Sequence, residues 1–235
     1  MSTQTNSFGQ IVGPALPNWT PRQPPSDAPM QGRFARLERL DLARHLTPLY
    51  EAVTEGGDDS LWTYLPFAQP TDQAAFADML SRDFIGEAAK YQGFAIQDAR
   101  SGETLGTAAF MRTDTASGST EVGSVLFGPR LQRSPIATEA MFLMMKRVFD
   151  EQGYRRYEWK CDSLNTPSWR AAERLGFTYE GTFRQVMVYK GRSRDTAWFS
   201  MLDGDWPAIR RAFETWLDPS NFDADGGQIE RLRTH

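Results

Sequence analysis

The sequence predicts an α+β protein built on one mixed, mostly antiparallel sheet with helices on both faces. Strand-like runs at 91–97, 104–112 and 121–127 are separated by the short turns Arg100-Ser101-Gly102 and Ser117-Gly118-Ser119, and turns this short join antiparallel neighbours. A helix-patterned stretch, 136–152, stands between the run at 121–127 and another at 155–161, and strand, helix, strand in succession implies a parallel pair with a crossover. Further amphipathic stretches at 40–53, 71–84 and 206–217 supply cover for the sheet.

Taken in order, residues 1–31 hold six of the 14 prolines and few apolar side chains, so they form an arm: a flexible tail, or a segment laid over its own domain or a partner. Arg33–Leu37 alternates like a strand, and Leu40–Val53 has the apolar spacing of a helix. Trp62–Pro66 is a compact aromatic segment. Thr71 can cap a helix through Phe76, Met79, Leu80 and Phe84 that ends near Gly86. The three-strand meander follows.

Ser134 as N-cap and Pro135 as first helical residue then start the helix that Gly153 ends, because proline there gives up only an N–H that is unpaired anyway. Arg155–Cys161 reads as a strand and Thr166–Leu175 as a short helix closed by Gly176. Phe177–Gly181, Phe183–Tyr189 and Thr196–Leu202 read as three more strands. The last helix carries Trp206, Ile209, Phe213 and Trp216 on one side, to pack on its own sheet or on a second subunit, so monomer and homodimer both stay open.

Composition narrows the chemistry. With 235 residues, 40% of them hydrophobic, the chain is long enough for a well-filled core. A single cysteine, Cys161, excludes an intrachain disulfide, and with only His45 and His235 beside it no Cys/His metal cluster is expected. The apolar runs are far short of the ~20 residues that span a bilayer, and the first ten residues lack the basic and apolar segments of a signal peptide. A cytoplasmic protein is expected. A net charge of −4 argues against general nucleic-acid binding, although cations can cluster locally.

The stretch from Arg130 to Thr138 is such a cluster: a strand end, a turn with two arginines and a helix N-terminus converge on one point. It suits a pyrophosphate, or holds only capping water.

The runs Glu121–Phe127, Gln132–Ala140, Asn165–Arg170 and Glu173-Arg174-Leu175-Gly176-Phe177 resemble the GNAT acetyltransferase superfamily, in particular its ribosomal-protein-alanine (RimJ/RimL-like) branch. The resemblance covers roughly residues 32–203, leaving the arm 1–31 and a C-terminal helix and polar tail, 204–235. It implies the GNAT fold: a single mixed, mostly antiparallel seven-stranded sheet with a splayed central parallel strand pair, here Glu121–Phe127 and Arg155–Cys161. It also implies an N-acetyltransferase that uses acetyl-CoA as cosubstrate, no metal, and a primary amine as acceptor. The alternative is a catalytically weakened acyl-CoA-binding or regulatory module.

Residue by residue, the resemblance assigns the phosphate loop to Gln132, Arg133, Ser134, Ile136, Ala137 and Thr138. Pro135 stands where the family's loop has a glycine, so the N–H groups of Arg133, Ser134, Ile136, Ala137 and Thr138 are expected to carry the contacts. Backbone N–H near Leu126 or Phe127 would polarise the thioester carbonyl. Asn165 would bond the pantetheine, and Arg170 would reach a phosphate.

Glu121 is the expected base for the incoming amine, its alternative being an exposed strand-end carboxylate. The family's acid position is Ala172, so Ser168 is the expected substitute, or else a residue that caps or packs the short helix. Trp62 and Tyr64 fall in the segment that walls the acceptor site in relatives. Cys161 reads as a buried structural thiol and His45 as a surface or boundary residue. Trp62, Tyr64, Trp159 and Trp169 all read mostly as core by residue type. The basic run Arg184, Lys190, Arg192 and Arg194 fits a solvated hairpin, its alternative being a face toward an acidic substrate or the CoA 3′-phosphate.

Overall fold

Each proline keeps its carbonyl oxygen but gives up its N–H, so a proline-rich segment has more acceptors than donors and its order draws on donors from elsewhere. In the computed structural model, which describes residues 3–55, 59–86, 89–224 and 226–234, the domain supplies them. Strands β1 (Gln4–Thr5) and β2 (Ile11–Val12) form a small hairpin. Farther along, the Trp19 indole donates to the Ala116 carbonyl at 2.8 Å and the Tyr154 hydroxyl to the Gln23 carbonyl at 2.9 Å. The buried Arg147 guanidinium donates to the carbonyls of Ser26, Ala28 and Pro29. Here the arm is laid over its own domain.

It ends as β3 (Met30–Gln31), antiparallel to β4 (Ala35–Arg39). This extra edge gives the main sheet eight strands where seven were expected, and two paired residues leave no periodic signal in a sequence. Glu139 locks the junction: its buried carboxylate accepts from the N–H groups of Arg33, Phe34 and Ala35 at 2.9, 2.5 and 2.7 Å.

Helix α1 (Leu42–Thr54) begins after Asp41, which accepts from Arg44 N at 3.0 Å. Leu40 stays with the sheet, bonded to Gly93 O. Helix α2 (Gln73–Phe84) is capped by Asp72 rather than Thr71. The Asp72 carboxylate accepts from Ala75 N at 2.8 Å and adds a negative charge at the positive end of the helix.

Strands β5 (Tyr91–Asp98), β6 (Thr104–Asp114) and β7 (Ser119–Phe127) form the expected meander. Helix α3 (Pro135–Lys146) starts on Ser134, whose hydroxyl accepts from Ala137 N at 3.1 Å, and closes in a wider turn over Arg147–Glu151. Next come β8 (Arg156–Asp162) and α4 (Thr166–Arg174). Strand β9 (Thr178–Tyr189) is one strand, not two: Gly181, at φ +157°, sits beside a bulge against β10 (Arg192–Leu202) instead of ending the run. Helix α5 (Trp206–Leu217) follows.

The strand order is β3-β4-β5-β6-β7-β8-β10-β9, with β7 and β8 the parallel pair. On one face α3 and α5 pack over Phe110, Tyr157 and Phe199; on the other α1 and α2 cover Ala95, Ala109 and Leu126. The apolar side of α5 is covered within its own chain, Phe213 stacking on Phe142 at 5.0 Å. Full burial of one such side chain stabilises the fold by about 1.5–3 kcal/mol.

Candidate functional site

The parallel pair starts in register, Ser119 to Val122 opposite Arg156 to Trp159, and then parts. Beyond that point Gly123–Phe127 keeps β6 on one side and Lys160–Asp162 keeps β10, with no pairing between them. The cause lies in β7. Ser124 takes φ +47°, and Ser124 and Val125 together oppose Ala108 alone, a bulge that twists the strand away from its neighbour. Two facing rows of backbone donors and acceptors flank the gap, a template for an extended, amide-bearing ligand.

The loop after β7 closes tightly on α1, because Gly128 has no side chain to strike the Ala52 carbonyl. It delivers the N-terminus of α3 to the open end of the gap. Of the loop N–H groups expected to hold a phosphate, three are already engaged: Ser134 with Leu131 O, Ala137 with Ser134 Oγ, and Thr138 with Ser134 O. Arg133, at φ +60°, and Ile136 are the two whose N–H groups have no acceptor among the described residues.

Cations compensate. Arg130 is tied to Glu103, whereas Arg133 and Arg170 are exposed and form no ion pair among the described residues. Gln132 turns its amide back to Phe127 O at 3.0 Å. Leu126 and Phe127 stand opposite Thr107 and Gly106, at the end of the bulged stretch.

Glu121 is not an exposed strand end: it lies within β7 and is 3% exposed. Its Oε1 accepts from Arg112 at 2.6 Å, and its Oε2 pairs with Lys160 Nζ at 2.8 Å. The charges continue across the sheet, Lys160 to Glu158 at 2.7 Å, Glu158 to Arg156 at 2.6 Å and Arg156 to Glu180 at 2.5 Å. Burial pushes the Glu158 carboxyl up, and Lys160 and Arg156 more than offset it, leaving it below the usual carboxylate range. Trp198 completes the group, its ring 3.6 Å from Lys160 Nζ.

Asn165 caps α4, accepting from Ser168 N at 3.2 Å, which leaves its amide hydrogens available. The Ser168 hydroxyl accepts from the Trp159 indole N–H at 3.0 Å. Burial pushes the Cys161 thiol up, with Ser168 pulling the other way, so this cysteine is a buried, protonated group. Ala172 is fully buried.

Trp62 and Tyr64 separate. The Trp62 ring is 3% exposed and packs edge-on to Phe67 and Phe76, as part of the core. Tyr64 instead reaches across the molecule, its hydroxyl donating to Leu164 O at 3.2 Å. Lys190, at the tip of the β9–β10 hairpin, donates to the Trp62 carbonyl and joins the hairpin to the same segment. At the end of β8, against the β9–β10 hairpin, an open cleft of about 810 Å³ is lined by Asp162, Leu164, Arg184 and Asp195 among others. Sequence reasoning missed Tyr189, whose hydroxyl donates to Asp162 at 2.8 Å and whose pKa is pushed up to about 12, first by burial and then by that bond. Its place on a hairpin that folds back over the strand ends gave no local signal.

Among the described residues no cluster of side chains is suited to a metal ion, and no helix is long and apolar enough to cross a membrane.

Residues 36–178 match the family model described as an acetyltransferase (GNAT) domain. A GCN5-related N-acetyltransferase from Brucella melitensis shares 46% identity and superposes with a TM-score of 0.88, covering 92% of this chain and 97% of that one. A probable GNAT-family acetyltransferase from Chromobacterium violaceum shares 40% identity with a TM-score of 0.77, over 83% and 96% of the two chains. In sequence alone, the uncharacterized N-acetyltransferase p20 of Bacillus licheniformis is 27% identical over 63% of this chain and 84% of its own.

Proposed function

Because the chain belongs to the GNAT acetyltransferase family, we propose that it moves the acetyl group of acetyl-CoA to a primary amine by direct attack of the amine on the thioester. The observation that carries this reading is the parting of β7 and β8 beside the N-terminus of α3. The gap fits pantetheine, whose amides match unpaired strand groups, and the helix end with Arg133 and Arg170 fits a diphosphate. The free N–H groups of Arg133 and Ile136 and the amide of Asn165 are the nearest donors. The backbone at Leu126 and Phe127 borders the position where the thioester oxygen gains charge.

An alkyl ammonium, with a pKa of about 10.4, must lose a proton before it attacks. Glu121 is the proposed base, directly or through one water. Both its oxygens face cations, and Arg112, whose side chain is 54% exposed, is the partner that gives way to the incoming ammonium. Carbon–nitrogen bond formation gives a tetrahedral adduct that loses its second nitrogen proton to water as it collapses; the electron pair of the carbon–sulfur bond leaves with sulfur, and Ser168 supplies a hydrogen bond to the departing thiolate. The amine enters from the cleft beside Tyr64 and the β9–β10 hairpin.

The test is release of free thiol from acetyl-CoA with a panel of small amines and of peptides bearing free N-termini. The peptides are included because Asn165-x-x-Ser168-x-Arg170 resembles the ribosomal-protein branch. Glu121→Gln is expected to slow turnover by about 10²-fold or more while CoA affinity stays. Equal rates in the two proteins would sink the base assignment. Tight CoA binding with silence across the whole panel would favour the weakened acyl-CoA-binding module instead.

A further inference from the structure

Trp159 is the last residue of β8 paired with β7 before the strands part. Residues opposite each other across parallel strands share a face, so Glu121 and Glu158 project from one side of the sheet and Val122 and Trp159 from the other. Trp159 is 6% exposed and has one polar atom, the indole nitrogen, which can only donate. That atom donates to Ser168 Oγ at 3.0 Å. A hydroxyl that accepts from the indole has its one proton left to donate; within the protein that proton faces the Cys161 thiol, a weak acceptor on the same face of β8 that a thiolate would outcompete.

We propose that Trp159 is a positioning residue: its indole N–H fixes the Ser168 hydroxyl so that the hydroxyl proton is directed at the sulfur that leaves the thioester. The inference rests on the acetyl-CoA reading above. It places the two proton-handling groups on opposite faces of the sheet, Glu121 on one side of the gap and Ser168 on the other, with the thioester between them. The amine thus loses its proton on one face while the thiolate is stabilised from the other. Ser168 gives only a hydrogen bond, and the thiolate, whose conjugate thiol has a pKa of about 8.5, later takes its proton from water.

The experiment compares wild type with Trp159→Phe, which keeps a buried ring and deletes the N–H, with Ser168→Ala, and with the double variant. Calorimetric titrations with CoA and with desulfo-CoA, at pH values below and above about 8.5, measure how much the thiolate adds to binding. In wild type the preference for CoA over desulfo-CoA is expected to grow on the alkaline side. Trp159→Phe should lose about threefold to tenfold of that preference, the size of one hydrogen bond, with desulfo-CoA affinity unchanged. The double variant should match Ser168→Ala, because the indole acts through the serine.

A full alkaline preference in folded Trp159→Phe overturns the proposal, as do losses that multiply in the double variant. Equal loss for CoA and desulfo-CoA also overturns it, since that marks a merely structural tryptophan. If wild type binds neither molecule, the acetyl-CoA reading itself falls.

Discussion

His45 shows how a residue that reads as a surface group becomes a constraint on pH. It is 1% exposed in α1, and its Nδ1 accepts from the backbone N–H of Asp41 at 3.0 Å, a bond only the neutral ring can make. Burial and the neighbouring Arg44 hold its pKa below the ordinary 6.5, against the pull of Glu38 and Asp41. The sign follows. Above about 6.5 the ring is neutral in both states; as pH falls below it, the unfolded chain takes the proton first and is favoured. Urea midpoints should therefore drop between about pH 6.5 and 5, before most carboxylates titrate. His45→Gln should flatten that part of the curve. The only other histidine is the terminal His235, so an unchanged slope in the variant would show that His45 is not its source.

At the scale of single elements, Pro135 sets stability against binding. As the first residue of α3 it has the φ that the helix requires and restricts the unfolded chain, but it contributes no N–H to a helix end where only Arg133 and Ile136 have donors left. Pro135→Gly is expected to lower stability by about 0.5–1 kcal/mol and to tighten CoA binding by a few-fold, as melting and titration on the same preparation would reveal. Weaker binding would mean that the rigid start, not the missing donor, governs the loop. This start was legible because Ser134 and Pro135 act within one turn of chain. The Ser124 bulge was not, since serine carries no preference for φ +47° and the strain is imposed by pairing with β6. The same limit hid Glu139, whose three donors lie more than a hundred residues away in sequence. The burial of Trp62 agrees with its reading as a core ring, and α2 supplies the cover through Phe76. Local chemistry, turns and the helix start at Ser134 could be read directly, whereas anything decided by which strand lies next to which could not.

For the molecule as a whole, the arm is tied to its domain at several points, Trp19 and Tyr154 among them, and most extensively by one buried cation. Arg147, 3% exposed at the end of α3, donates to the Ser26, Ala28 and Pro29 carbonyls and pairs with Glu151 at 2.6 Å. Releasing the guanidinium leaves those carbonyls without donors and exposes the β3 edge, yet the gap between β7 and β8 lies several strands away. Arg147→Met, which keeps much of the apolar stem, should therefore loosen residues 19–31 without altering CoA affinity. Stability should fall by about 1–3 kcal/mol, because a buried charged donor to half-buried and exposed carbonyls is removed. Hydrogen exchange would show faster amide exchange in the arm, and limited proteolysis would cut there first. Faster exchange spread evenly through β5 to β8 would instead mean that the arm is an integral part of the core, and that the catalytic sheet does not hold its shape without it.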